Sequence, residues 1–224
     1  MTDSRLPGES AEYRAARDEL TIAEHELTAA IERVAALRRA LPPGGPVPED
    51  YLFTEGPADL EQDLPERQVR LSELFGGQDT LVLYGFMYGP LMERACPMCT
   101  SLLDGLNGSA PDIGQQVSFG VVAASPLPRV RGYARDRGWD RLRLLSSAGS
   151  GYNRAYLAET QDGEQRSVLN VFTRRDGQIR HFYGTEKGPT GPGQDDRHVD
   201  LLWPLWNVLD MTPGGRPPAW RPGF

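Results

Sequence analysis

The sequence predicts an α/β fold, a mixed sheet flanked by helices with a long N-terminal helix extension. Three observations predict it. An apolar run, Thr80 to Phe86, leads through a loop into a helix that opens on Cys96-Pro97-Met98-Cys99. Strand and helix patterns then alternate as β-α-β-α-β before a hairpin and a last helix, the order of parallel units closed by an antiparallel edge. Ahead of this, Ser10 to Ala40 carries apolar residues at heptad spacing.

In chain order, Tyr13, Leu20, Leu27 and Val34 recur every seven residues, with Ala16, Ala23, Ala30 and Leu37 as a second row. Such a stripe predicts coiled-coil-like packing on another helix. At 1.5 Å per residue the helix is roughly 45 Å long, more than the ~30 Å width of a small domain, so a homodimer through it is expected. The expected division is residues 1–41 as this helix, 42–50 as a Pro/Gly linker, 51–211 as the main domain and 212–224 as a Pro/Gly-rich tail. Tyr51 to Thr54 and Val69 to Leu71 are expected short strands, and Ser72 the cap of a turn. Thr80 to Phe86 is too short for a globular helix and predicts a central strand. Leu102, Leu103 and Leu106 follow the cysteines at helical spacing, with an end expected by Gly105 or Gly108. Val117 to Ala124 predicts the next strand. Ser125-Pro126 predicts a helix start, running to Arg137, and Leu142 to Leu145 a third strand. Ser167 to Thr173 and Gln178 to Tyr183 flank Asp176-Gly177, a hairpin signal. His198 to Leu209 is amphipathic, with Pro204 kinking the helix or marking its start.

Cys96 and Cys99 are the only cysteines in the chain, and a C-x-x-C beside a βαβ pattern reads as a thioredoxin-like redox motif. Pro97 fits the first helical turn because it has no N–H to lose. Cys96 then stands at the N-cap, where unpaired N–H groups and the helix dipole favour a thiolate. Cys99 lies one turn on, within reach of a mixed disulfide on Cys96. A structural zinc site wants four Cys or His ligands, and the three histidines, His25, His181 and His198, are scattered singly. Two inert buried thiols are the plainer alternative.

Net charge is −7, which argues against general nucleic-acid binding. No stretch approaches the ~18 apolar residues of a membrane span. The opening MTDSRLPGES has no apolar signal region, so a reducing cytoplasm is expected, where a C-x-x-C is more plausibly catalytic than structural. Neither a P-loop nor a dinucleotide fingerprint occurs, so no cofactor is implied.

The stretch LSELFGGQDTLVLYGFMYGPLMERACPMCTSLLDGLNG, followed by VSFGVVAASPLPRVRGYARDRGW, resembles the bacterial domain-of-unknown-function family 899, placed among thioredoxin-like proteins. The N-terminal RRALP and the late LDMTPGGR are similar to the same family. The resemblance implies a thioredoxin-like domain. Ordinary thioredoxins carry Trp-Cys-Gly-Pro-Cys close behind the strand; here Tyr88 to Ala95 intervenes and Ala95 replaces the tryptophan. Where thioredoxins place a cis-proline before the third core strand, setting LNVF on that strand puts Ser167. The long loop is similar to that of peroxiredoxins, but Pro90 is one residue too close to Cys96 and Glu93 stands in place of threonine.

The expected activity is thus dithiol–disulfide exchange, Cys96 attacking and Cys99 resolving, on a protein or small-molecule disulfide. A thiol peroxidase with Cys96 peroxidatic and a non-catalytic interaction module with inert thiols are the alternatives. Tyr84, Phe86, Met87, Tyr88, Pro97 and Ser167 are candidate walls of a substrate groove. Arg94, Arg154 and Arg166 are candidate thiol activators, better read as surface or ion-pair residues. Asp104 reads as a solvated helix carboxylate, His181 as structural, and Arg129, Arg131, Arg135, Arg137, Arg141 and Arg143 as a solvated face.

Overall fold

The computed structural model describes residues 6–62, 65–185, 202–215 and 222–223. The chain divides into two units, Met1–Pro42 and Pro43–Phe224.

The first unit is α1, Ala11–Arg39. Ser10 caps it by accepting the Tyr13 N–H at 3.1 Å, and Arg38 and Arg39 face the negative end of its dipole. An i,i+4 pair, Arg14 with Asp18 at 3.1 Å, supports its surface. None of its residues is buried: Tyr13, Leu20, Leu27 and Val34 stay 42–61% exposed.

The second unit begins against the sheet. Pro46 bridges Arg180, and the Val47 N–H donates to the Ile179 carbonyl at 3.0 Å, so the Pro/Gly segment is tied down from Gly44 onward. β1 (Leu52–Glu55) and β2 (Arg67–Arg70) form an antiparallel pair, followed by a single turn, α2 (Leu71–Leu74). The cap of α2 is not Ser72. The cap is Arg70, two residues earlier, where the Glu73 carboxylate accepts the Arg70 N–H at 2.6 Å, and Asp50 takes both polar groups of Ser72. β3 (Thr80–Phe86), α3 (Pro97–Gly114), β4 (Ser118–Ala123), α4 (Leu127–Arg137) and β5 (Leu144–Ser146) make two parallel crossovers. A short α5 (Tyr152–Ala155), which carries no sequence signal, precedes the hairpin β6 (Val168–Arg175) and β7 (Gln178–Gly184). Asp176 and Gly177 both have positive φ, 52° and 75°, the turn that matches strand twist. α6 (Pro204–Asp210) starts at its proline; the expected helical residues 198–201 lie outside the described residues.

The sheet runs β2-β1-β5-β4-β3-β6-β7. β3, β4 and β5 are parallel, and β6 lies antiparallel to β3 with Gly85 opposite Val168. A mixed sheet with the dithiol at the C-terminal end of its central strand is a thioredoxin-like architecture, as the sequence predicts. Alternation along β3 feeds two cores. Tyr84 and Phe86 point to the side of α3, α4 and α6, with Leu102, Leu103, Val130, Trp139 and Trp203. Leu81 and Leu83 point to the other, with Phe53, Phe75, Tyr152 and Phe172.

Two helix boundaries differ from expectation. α3 runs through Gly105, Gly108 and Pro111 to Gly114. Each glycine costs only about 1 kcal/mol, while Leu102, Leu103, Leu106 and Ala110 bury one continuous face. α4 begins at Leu127 with Pro126 as its N-cap, not Ser125, whose carbonyl instead accepts the Ser146 hydroxyl at 2.7 Å.

Candidate functional site

The dithiol is set by three local features. Cys96 is extended (φ −62°, ψ 120°) and is the N-cap of α3, with Pro97 at the first helical position. Its sulfur accepts the Cys99 N–H at 3.5 Å, and its N–H donates to the Met87 carbonyl at 3.0 Å, closing the loop back on β3. Thr100, buried, donates its hydroxyl to the Cys96 carbonyl at 2.9 Å and pairs with the Tyr133 hydroxyl at 2.9 Å. Neither cysteine is in a disulfide; Cys96 is half-buried and Cys99 is 3% exposed.

Burial distinguishes the two thiols. The Cys99 thiol is pushed well above its ordinary 9.0, first by its hydrogen bond to Cys96, then by burial and by the Cys96 charge. Two groups pull the other way, the Tyr84 hydroxyl and the Met87 N–H. Tyr84 is itself pushed well above 10.0, chiefly by burial, so it remains a neutral donor.

Of the expected groove, Met87 and Ser167 are half-buried and Pro97 is exposed. Tyr84, Phe86 and Tyr88 are not walls. They are 1–6% exposed, and Phe86 and Tyr88 pack with Tyr133 and Trp139 in an aromatic cluster beneath the loop. The reason is register: Tyr84 and Phe86 fall on the helix-covered face of β3. Ser167 directly precedes β6, and its hydroxyl meets that of Tyr84 at 2.7 Å.

Arg129, expected on a solvated face, is instead engaged at the loop. It leans over the Tyr88 ring at 4.3 Å and donates to the carbonyls of Gly89, Pro90, Met92 and Glu93. One guanidinium thus holds the loop between β3 and Cys96, and nothing in the local pattern announces it. The other α4 arginines are not a solvated face either. Arg131, 8% exposed, binds the carbonyls of Pro57, Asp59, Leu60 and Gln62, and Arg135 that of Leu60. Arg137 and the Trp139 N–H both bind Asp104, which is therefore paired and not simply solvated. Arg143 joins Arg67 on buried Glu55. Arg135 and Arg141 are exposed, Arg141 lying 3.9 Å from Asp140. Of the candidate activators, Arg154 pairs with Glu159 at 2.8 Å, and Arg94 and Arg166 are exposed. His181 bonds Asn170 at 2.9 Å and packs against Tyr156 and, edge-on, Phe172, a structural position.

α6 covers the outer side of α3. Trp203, 2% exposed, donates its indole N–H to the Ser101 hydroxyl at 3.1 Å and packs on Trp206. A cleft of about 610 Å3 opens at the N-terminal end of β5, away from the dithiol, but Arg67, Arg131 and Arg143 on its walls are engaged as above. Among the described residues no group of three or more His, Cys, Asp or Glu is placed to hold a metal ion. No described helix is long and apolar enough to cross a membrane.

Solved structures similar to this chain include a reduced 2-Cys peroxiredoxin from Plasmodium vivax, with TM-score 0.47 and 12% identity over 74% of this chain and 96% of that one. A hypothetical protein from Sinorhizobium meliloti 1021 has TM-score 0.43 and 19% identity over 79% and 87%. A putative thioredoxin reductase from Burkholderia cenocepacia has TM-score 0.47 and 16% identity over 72% and 96%. Among curated proteins none matches the sequence. The family model described as "Bacterial protein of unknown function (DUF899)" matches residues 3–222, nearly the whole chain, and the protein belongs to that family.

Proposed function

We propose that the protein is a thiol–disulfide oxidoreductase, with Cys96 the attacking thiolate and Cys99 the resolving thiol. The observation that carries this is the asymmetry of the pair: a half-buried N-cap sulfur that accepts the backbone N–H of a buried cysteine one turn on. In the first step Cys96 attacks a substrate disulfide, forming a mixed disulfide and releasing one thiolate. In the second, Cys99 attacks the Cys96 sulfur, the Cys96–Cys99 bond forms and the second substrate thiolate leaves. Two electrons pass to the substrate, and an external dithiol restores the pair. The substrate meets this site across Pro97, Met87 and Ser167, with the loop held by Arg129 as its rim. A reducing cytoplasm suits such thiols.

Steady turnover of a small disulfide with excess dithiothreitol tests the reading. Wild type should turn over. Cys96→Ser should be inert, and Cys99→Ser should accumulate a mixed disulfide on Cys96 visible by mass. Fast peroxide consumption with no disulfide turnover would move Cys96 to the peroxidase reading, through a sulfenic acid that Cys99 condenses with. No reaction with either would leave the interaction-module reading.

We also propose that α1 pairs with α1 of a second copy. Its apolar stripe holds one spacing across four repeats and is exposed along its length.

A further inference from the structure

The cleft at the N-terminal end of β5 takes no part in the dithiol chemistry. Its volume of about 610 Å3 lies in the range that holds a small organic ligand. Four arginines stand on its walls: Arg67 on β2, Arg131 on α4, and Arg141 and Arg143 just ahead of β5. Among the described residues that line it, two carboxylates face them, Glu55 and Asp140. Four cations against two anions leave an excess of two positive charges, in a chain of net charge −7. The present partners do not remove that excess. Glu55, 5% exposed, stands opposite Arg67 in the β1–β2 register and accepts from Arg143 at 2.9 Å. One carboxylate thus holds two guanidiniums side by side, with one charge left over. Among the described residues the partners of Arg131 are carbonyl oxygens, and its guanidinium lies where a Cβ on Gly56 would come within 2.9 Å. Carbonyl dipoles solvate a charge without cancelling it. Arg141 lies 3.9 Å from Asp140, beyond hydrogen-bond distance. Arg67 commits one nitrogen to Glu55, and the side chains of Arg67 and Arg141 are more than half exposed, so both keep N–H groups for another acceptor. The cleft also has an apolar side, made by Leu60, Leu142 and Leu144, all buried.

We propose that this cleft is a binding site for a small organic anion, a carboxylate or phosphate group carried on a short apolar body. A guanidinium offers paired N–H donors that match the oxygens of either group. Arg67 and Arg141 take the oxyanion, and the body lies against Leu142 and Leu144. Arg131 and Arg143 add positive charge from behind while keeping the partners they have. The Glu55 bridge fixes Arg67 and Arg143 in advance, so binding has less side-chain order to create. A neutral ligand leaves the excess charge unbalanced, and a bare inorganic ion leaves the apolar wall uncovered. The site stands on the β1, β2 and β5 side of the sheet and does not depend on the oxidoreductase reading.

Equilibrium dialysis of the full chain against phenyl phosphate and against benzoate tests the site, in about 0.15 M salt to suppress diffuse attraction. Inorganic phosphate supplies the anion without the body, and benzyl alcohol the body without the charge. One saturable site is expected, with Kd on the order of 0.1–1 mM for the better aryl anion. Whichever of phenyl phosphate and benzoate binds more tightly tells a phosphate site from a carboxylate site. Inorganic phosphate should bind at least about fivefold more weakly, for want of apolar contact, and benzyl alcohol should show no saturation. Arg141→Gln should weaken the aryl anion about tenfold. Ala58→Trp, at an exposed wall position, fills the cleft and should abolish binding. Arg175→Gln makes the same charge change on β6, across the sheet, and should leave Kd within about twofold. Absence of saturable binding by either aryl anion overturns the proposal. So does an equal loss in Arg141→Gln and Arg175→Gln, which would mean attraction to diffuse charge only, and so does binding that survives Ala58→Trp.

Discussion

Several protons of this protein are held by burial, and their pKa shifts all have one sign. Cys99 is pushed well above 9.0, mainly by Cys96 and burial; Tyr152, fully buried, is pushed far above 10.0 by desolvation; and half-buried Tyr156 is pushed up to about 12 by the same cause. In the unfolded chain these groups ionise near their ordinary values, whereas the native state keeps the protons. The native state then binds more protons than the unfolded one above pH ~9, so stability falls as pH rises through that range and is fully present below it. Urea midpoints should be flat from about pH 6 to 8 and drop between about pH 9 and 11, the drop shrinking in Tyr152→Phe. A midpoint that holds through that range would contradict the burial argument.

At the scale of elements, the loop between β3 and α3 is anchored at its ends by buried Tyr88 and Ala95, while Leu91 at its tip is 97% exposed. Its order comes from α4 through Arg129. Arg129→Ala removes the donor from four carbonyls and the cation from the face of Tyr88. It should cost about 1–3 kcal/mol and speed amide exchange across residues 88–95 while the β6–β7 hairpin keeps its protection. Cys96 should become easier to alkylate. Exchange that accelerates everywhere would mean that Arg129 supports the fold as a whole and not this loop.

For the whole molecule, the open question is what lies on α1. At 29 residues it is about 44 Å long, and the stripe of Tyr13, Leu20, Leu27 and Val34 runs along it unburied. Closed two-fold dimers are the commonest assembly, and a heptad seam suits one. Sedimentation at tens of micromolar should give a dimer, and deletion of residues 1–41 a monomer that still performs dithiol exchange. Leu20→Asp with Leu27→Asp should dissociate the dimer without unfolding residues 43–224. A full-length monomer at that concentration would defeat the idea.

Elements whose signals are local were legible in the sequence. Thr80–Phe86 is the central strand, Cys96 the N-cap, Pro97 the first helical residue, and Asp176-Gly177 the hairpin turn, because periodicity, a missing N–H and positive φ act within a few residues. The pairing of a half-buried with a buried thiol follows from the same local geometry. Only the tertiary structure decided the partners of the polar side chains. Arg129 and Arg131 read as surface charges until carbonyls 36 to 74 residues away fold against them, and Asp104 reads as solvated until Arg137 and Trp139 close on it. Tyr84 reads as a groove wall until register turns it inward and β6 brings Ser167 to its hydroxyl. A hydrogen bond depends on where two segments meet, and that meeting is fixed by the burial of the whole core, which no short window of sequence contains.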